Sequence, residues 1–405
     1  MLRVLTLSTL FPDAGRRNFG VFVERQTLGL AAHPDVELRV VAPIGLPPFP
    51  LALRGRHAQL AALPLGEQWK GVDVYRPRFL SVPGTAGRLH VHFLIRALTP
   101  LLTDLRREFA FDVIDASFFF PDGPAAVALG RRFGVPVSVK ARGSDIHHWG
   151  TAAATAGQVR AAGKDAAGLL AVSDAMKRDM VAMGMPADHI RVHRTGVDLG
   201  QFAPRDRGEA KAALNLRGPL VVSTGALIER KGHDIVIEAI AALPNVHLLI
   251  AGEGACRGAL EAKIAALGLT DRVRLLGAVP HGEMAALLAA ADVMALASEN
   301  EGLANAWVEA LASGVPVVIP DVGGAPEVVT ERAYGRIVGR TPAGFASGIA
   351  AVLSDHTPPM TVRAGAERFT WEANTAGLYD HLKALVTSSW ADPSASRATM
   401  PPDIR

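Results

Sequence analysis

The chain has 405 residues, 49% of them hydrophobic, with 40 glycines, 27 prolines and a single cysteine. That length exceeds what one core usually fills, so two domains are expected, and the lone Cys256 excludes an internal disulfide or a cysteine-built metal site. The net charge of +3 conceals an asymmetry: residues 1–200 hold 24 Lys and Arg against 17 Asp and Glu, a balance of +7, and the remainder hold 18 against 22, a balance of −4.

The opening MLRVLTLSTLFPDAG carries an apolar run too short for a signal peptide, and Pro12, Asp13 and Gly15 close it as they would close a strand. In the first half, strands are expected over 3–7, 37–41, 72–75, 113–115, 135–140, 168–172 and 190–192, with helices over 21–32, 88–108, 123–132, 152–166 and 174–183 between them. Such alternation implies β/α units around a mostly parallel sheet. The pattern restarts after the polar stretch 203–208. Strands are expected over 220–223, 246–251, 273–276, 293–295 and 316–319, with helices over 232–242, 256–266, 281–290, 304–313 and 325–329. From Thr361 the chain turns helical again, and the Pro, Ser and Ala-rich run after Ser388 reads as a frayed tail. The expected domains are therefore 1–203 and 204–365, followed by helices over 366–387 and a tail over 388–405. No window reaches 18 uncharged apolar residues, so a cytoplasmic protein without a bilayer-spanning segment is expected.

The segment 298–318, SENEGLANAWVEALASGVPVV, sets Glu301 just before a predicted helix and Glu309 two turns inside it. Eight positions at about 1.5 Å rise span about 12 Å. That is too far for two acids to act on one atom, yet it suits the two ends of an extended ligand. The amides of Gly302, Leu303 and Ala304 would lie between them, free to donate to phosphate oxygens. Read alone, the segment is equally consistent with a solvated Glu301 and a Glu309 that merely interrupts an Ala-rich helix.

Other strand-end loops carry polar chemistry. In GALIERKG, Gly225 opens a loop in which Arg230 and Lys231 can neutralise a departing diphosphate, or simply cap a turn, and no Walker spacing supports ATP hydrolysis. Gly252 and Gly254 would let a base or ribose approach the backbone. Gly20, in NFGVFV, opens a helix and could admit phosphates or the ligand's sugar, or be only a turn glycine. Asp145 could accept a sugar hydroxyl proton or cap the next helix, and Arg142 could meet a phosphate or an acidic acceptor, while His147 and His148 read as surface residues. Gly323 and Gly324 open a further helix before Pro326 and Glu327. The arginines of the first half, Arg54 and Arg56 among them, could rest on anionic lipid or be scattered and solvated. Nucleic acid finds no basic helix, finger spacing or aromatic platform.

In this order, GALIERKG, AGEG, Glu301-(seven residues)-Glu309 with ALASGVPVV, and DVGGAPE resemble glycosyltransferase family 4, and the likeness runs from LSTLFP and NFGVFV to Trp371. The resemblance implies a GT-B fold, two Rossmann-like α/β domains facing each other across a cleft, and retaining transfer from a UDP- or GDP-sugar without a metal. It implies that Glu309 holds the donor ribose, Glu301 contacts the donor sugar, and Arg230 and Lys231 stabilise the diphosphate. Gly302, Leu303, Ala304 and Asn305 would line the phosphate and sugar site, with Gly225 in the diphosphate loop and Gly252 and Gly254 near the base. Gly20 would approach the phosphates and Asp145 would orient the sugar or acceptor. The terminal helices would cross back to the first domain. The implied acceptor is a lipid-linked or soluble saccharide in exopolysaccharide or cell-wall glycan synthesis, met at the inner face of the membrane. Within the same resemblance, an epimerase, a phosphorylase or a noncatalytic nucleotide-sugar binder is the alternative. Two positions depart from the family pattern: Ala226 stands where many members have Arg, and Arg142 where many have His.

Overall fold

The computed structural model describes residues 1–16 and 19–391; Arg17, Asn18 and the tail from residue 392 lie outside the described residues. The chain divides into two compact units, one of Met1–Arg194 with the segment from Trp371, the other of Thr195–Thr370.

The first unit runs β1 (Leu2–Leu7), α1 (Val21–Ala31), β2 (Val36–Val41), β3 (Ile44–Leu46), α2 (Gly55–Ala61), β4 (Gly66–Trp69), β5 (Val72–Tyr75), β6 (Arg78–Leu80), α3 (His90–Glu108), β7 (Val113–Ala116), α4 (Asp122–Phe133), β8 (Val137–Ala141), α5 (Ala156–Asp165), β9 (Gly168–Ala171), α6 (Asp174–Ala182) and β10 (Ile190–Val192). Its main sheet has the order β10-β9-β8-β7-β1-β2-β5-β4 and is parallel except for the β4 edge. The central strands β7, β8 and β9 are buried along their whole length, and β7 and β8 enclose Asp115, Ser138 and Lys140 among their apolar residues. Helix α3 buries Leu94, Leu98, Leu102 and Leu105 on one stripe.

The second unit runs α7 (Arg207–Ala213), β11 (Leu220–Thr224), α8 (His233–Ala241), β12 (His247–Ala251), α9 (Arg257–Ala266), β13 (Val273–Gly277), α10 (His281–Ala289), β14 (Val293–Ala295), α11 (Asn305–Ala312), β15 (Val317–Pro320), α12 (Ala325–Val328), β16 (Gly335–Val338), α13 (Pro342–Asp355) and α14 (Pro359–Ala364). Its six strands are all parallel, in the order β13-β12-β11-β14-β15-β16. Helix α15 (Trp371–Ala391) belongs to the first unit, where Leu378 and Leu382 share a core with Val4 and Leu30.

Both units are thus Rossmann-like sheets, but several boundaries move. The units part after Arg194 rather than after residue 203, and the returning segment starts at Trp371 rather than at 366. Helix α15 continues through Ala391, past the expected fraying at Ser388. Strands β3, β4, β6 and β16 and helices α2, α7 and α13 go beyond the expected elements. All four strands are short, of three or four residues, and α13 starts on a cap that the composition conceals: the Thr341 side chain accepts the Gly344 amide, with Pro342 at its first turn. Helix α11 begins only at Asn305, so Glu309 lies just over one turn inside it, and a helical rise does not measure its spacing from Glu301.

Candidate functional site

In the second unit, three loops at the carboxyl ends of strands converge on Glu301. The Lys231 ammonium forms an ion pair with Glu301 Oε1, and the Ser298 hydroxyl donates to the same oxygen at 2.7 Å. Around this pair the backbone is locked. The Glu299 amide donates to the Arg230 carbonyl at 2.7 Å and the Gly324 amide to the Gly302 carbonyl at 2.9 Å. Gly323 has φ +51°, and a β-carbon there would fall 1.8 Å from the Glu301 carbonyl oxygen, so only glycine lets the loop after β15 close on the loop after β14.

Sequence neighbours thereby become a recess for an anion. Gly302, Leu303 and Ala304 are buried, so what they offer is backbone, and among the described residues their amides have no hydrogen-bond acceptor. The Asn305 Oδ1, at the first position of α11, is buried without a partner. Unbonded amides before a helix start beside a lysine make a local positive field. The Lys231 and Glu301 side chains keep 16% and 12% exposure, enough for a ligand to reach them. Arg230 is exposed and makes no side-chain contact among the described residues.

Glu309 is buried, and its Oε1 lies 2.8 Å from His281 Nε2. His281 has no local signal in the sequence, because it sits 28 positions away at the first residue of α10 and only the tertiary fold brings it to Glu309. His233 is likewise buried, with Nδ1 3.0 Å from the Ser223 hydroxyl, and burial pushes it down to about 4, so it is a neutral imidazole beside the Gly225 loop.

Three glycines let strand-end loops close on one another. A β-carbon on Gly252 would fall 1.8 Å from the Gly225 carbonyl oxygen, and one on Gly254 would fall 2.4 Å from that of Leu227. Gly20, at φ +68°, would place a β-carbon 1.5 Å from the Leu10 carbonyl oxygen, so the loop after β1 requires glycine there.

In the first unit the strand ends also carry charge, and Asp145, Asp122 and Lys140 are enclosed. Asp145 is fully buried in a π-helical turn over Asp145–Trp149 and accepts the amides of Phe119, Arg142, Gly143 and Ile146 at 2.7–3.2 Å. Burial pushes its pKa up while those amides pull it down. Both of its oxygens accept amides, and it organises the loop. Arg142 donates from Nε to the Ser117 carbonyl at 2.6 Å and from Nη2 to Gln26 at 3.2 Å. Desolvation lowers it to about 10, which leaves it cationic at neutral pH. Most of its fork is committed to the frame, and Nη1 is the nitrogen left for a ligand.

Behind these residues lies a polar network absent from the sequence reading. Lys140 is fully buried, its ammonium 2.7 Å from Gln26 Oε1 and 2.8 Å from His193 Nδ1. His193 Nε2 faces the Asn374 carbonyl at 2.7 Å and so carries the ring proton, which leaves Nδ1 to accept from Lys140. Desolvation pushes both groups well below their ordinary values. Asp122, at the start of α4, accepts the Thr9 amide and hydroxyl through Oδ2, while its buried Oδ1 has no partner, and desolvation raises it to about 7.

Among the described residues no group of three or more His, Cys, Asp or Glu could hold a metal ion, and no helix is long and apolar enough to cross a membrane.

Two parallel Rossmann-like units define the GT-B class, and solved structures carry the same fold. Sucrose-phosphate synthase from Thermosynechococcus elongatus aligns with a TM-score of 0.80 at 20% identity, over 96% of this chain and all of that one. Anabaena Alr3699/HepE in complex with UDP aligns with a TM-score of 0.72 at 18% identity, over 95% of this chain and all of that one. Residues 20–201 match the family described as Glycosyltransferase Family 4, and residues 205–369 match Glycosyl transferases group 1. The chain is a GT-B-fold protein of the glycosyltransferase superfamily, related to family 4 members. Among curated relatives, the putative teichuronic acid biosynthesis glycosyltransferase TuaC of Bacillus subtilis strain 168 is 28% identical over 80% of this chain and 82% of its own length. A D-inositol 3-phosphate glycosyltransferase of Segniliparus rotundus is 36% identical over 47% of this chain, and the match spans 46% of that relative, about half its length.

Proposed function

We propose that the protein is a retaining glycosyltransferase that moves a sugar from a UDP- or GDP-sugar to an acceptor hydroxyl, the acceptor being a lipid-linked saccharide in exopolysaccharide or cell-wall glycan synthesis. The observation that carries this reading is the Lys231–Glu301 pair set beside the unbonded amides of Gly302, Leu303 and Ala304. A diphosphate entering there takes Lys231 as its counterion and those amides as donors. Glu301, released from the lysine, then accepts hydroxyls of the donor sugar. Glu309 holds the ribose hydroxyls through Oε2, since Oε1 is engaged by His281.

Charge accumulates on the β-phosphate as the bond from the anomeric carbon to its oxygen breaks, and Lys231 with the helix-start amides stabilises it where it grows. The acceptor oxygen bonds to the anomeric carbon on the face the phosphate leaves, and its proton passes to a phosphate oxygen. Ammonium and amides supply the positive charge, so the reaction needs no metal. Ala226 supplies none, which leaves Lys231, with the exposed Arg230, as the nearby cations. The UDP complex of HepE supports a uridine donor, and the TuaC likeness supports a cell-wall glycan acceptor. The positive balance of residues 1–200 suits peripheral attachment to the inner face of the membrane.

The test is a screen of UDP- and GDP-sugars for binding and for nucleoside diphosphate release with and without acceptor. On the true donor, Glu301→Gln is expected to lower kcat about 100-fold, and Glu309→Gln to raise donor KM about tenfold. Wild-type kinetics in both variants would sink the assignment. Turnover that needs no acceptor would point to an epimerase, and turnover that needs inorganic phosphate to a phosphorylase. Binding with no release under any condition would point to a noncatalytic binder.

A further inference from the structure

We propose that residues 48–56, from the loop after β3 into the first turn of α2, are the surface by which the first unit docks on an anionic lipid bilayer, an inference that rests on the lipid-linked acceptor proposed above. Phe49 is 81% exposed, Leu51 44% and Leu53 65%, three large apolar side chains within five residues and carried on a short 3-10 turn at Leu51–Leu53. Single exposed apolar residues are ordinary, but a contiguous group costs free energy in water and calls for a cover.

The flanking charge selects the cover. Arg54 and Arg56 follow at once, both exposed and neither ion-paired among the described residues. No Asp or Glu occurs between Glu37 and Glu67, so the segment lies in a stretch with no acidic residue to offset them. Apolar tips beside unpaired arginines match a headgroup layer, where the rings and leucines enter the acyl boundary and the guanidiniums stay at the phosphates. A second copy of the chain is a poor cover, because it would bring arginine against arginine with no carboxylate between them.

Position links the surface to the chemistry. β2 and β3 lead into the segment, so it leaves the carboxyl end of the parallel sheet, the edge that also bears the Thr9 loop after β1 and Arg142 after β8. Docked there, the unit meets a lipid-linked acceptor at the edge where open parallel sheets collect their ligands.

The experiment is cosedimentation of the full chain with vesicles of phosphatidylcholine alone or mixed with phosphatidylglycerol, at about 0.1 M and about 1 M salt. Wild type is expected to pellet with the mixed vesicles at low salt, and with neutral vesicles or at high salt only weakly. Phe49→Ser with Leu53→Ser, and separately Arg54→Ser with Arg56→Ser, should each lower partitioning at least about tenfold, with melting temperature and donor turnover on a soluble acceptor unchanged. Equal partitioning of wild type and both variants, or no pelleting of wild type with anionic vesicles, overturns the proposal. So does a wild-type dimer that the Phe49 and Leu53 changes turn into a monomer, since a second copy would then be the cover. Vesicle binding without any donor turnover would leave the surface standing and remove the enzymatic reading instead.

Discussion

At the strand ends of residues 195–370, Lys231 and Glu301 are held by each other and by one serine, and both remain within reach of solvent. At the strand ends of residues 1–194, Asp145, Asp122 and Lys140 are sealed, and the hydrogen bonds that Asp145 and Lys140 make are spent inside the unit. The two sheets share a parallel Rossmann-like plan but place charge for different purposes. An ion pair between two side chains can be exchanged for a ligand at the cost of one contact, so the second unit keeps its charge available. A carboxylate that accepts four amides cannot be recruited without unmaking the loop it organises, so the first unit uses charge as framework.

The largest effect is expected from breaking the framework. Asp145→Ala should strip the acceptor from four buried amides and destabilise the first unit by about 4 kcal/mol, lowering its melting temperature by about 8–16 °C. A calorimetric scan that separates the two units would show the loss in one transition only, with UDP-sugar affinity preserved. If Asp145→Ala melts like wild type and instead loses transfer, the contrast drawn between the units is wrong. Next in size is Lys231→Ala, which should slow nucleoside diphosphate release about 100- to 1000-fold and leave both melting transitions within about 2 °C of wild type. A large fall in melting temperature would show that this charge too is framework.

The smallest effect is a pH dependence. Asp122 is raised from 3.8 to about 7 in the folded chain because burial disfavours its anion. Folding therefore favours its protonated form, and that contribution to stability is complete below about pH 4 and is lost as pH rises to about 7. Asp122→Asn keeps an oxygen for the Thr9 amide and cannot ionise. It should stabilise the first unit by about 1–3 kcal/mol above pH 7 and flatten its melting temperature between pH 4 and 7. A wild-type melting temperature that rises across that window would refute the assignment.

Much of the fold was legible because its elements are periodic over long runs. Strands β5, β10 and β14 fall on their expected residues, and α1, α8, α9 and α10 within about one residue of theirs. The short β3, β4 and β6 were illegible because three or four half-buried residues carry no period. Of the candidate site, Lys231 and Glu301 were legible as charges in loops after strands, and Glu309 as a charge inside an Ala-rich helix. Their partners Ser298 and His281 were not, and neither were Gln26 and His193 around Lys140, because these residues have no local pattern that marks them.

By itself the sequence determined two β/α units, the strand-end loops that carry polar residues, and the excess of positive charge in residues 1–200. Only the tertiary structure decided which of those charges are available. Glu301 and Asp145 look alike as acids in loops after strands, but desolvation and the count of amides aimed at each carboxylate are set by residues far apart in the chain.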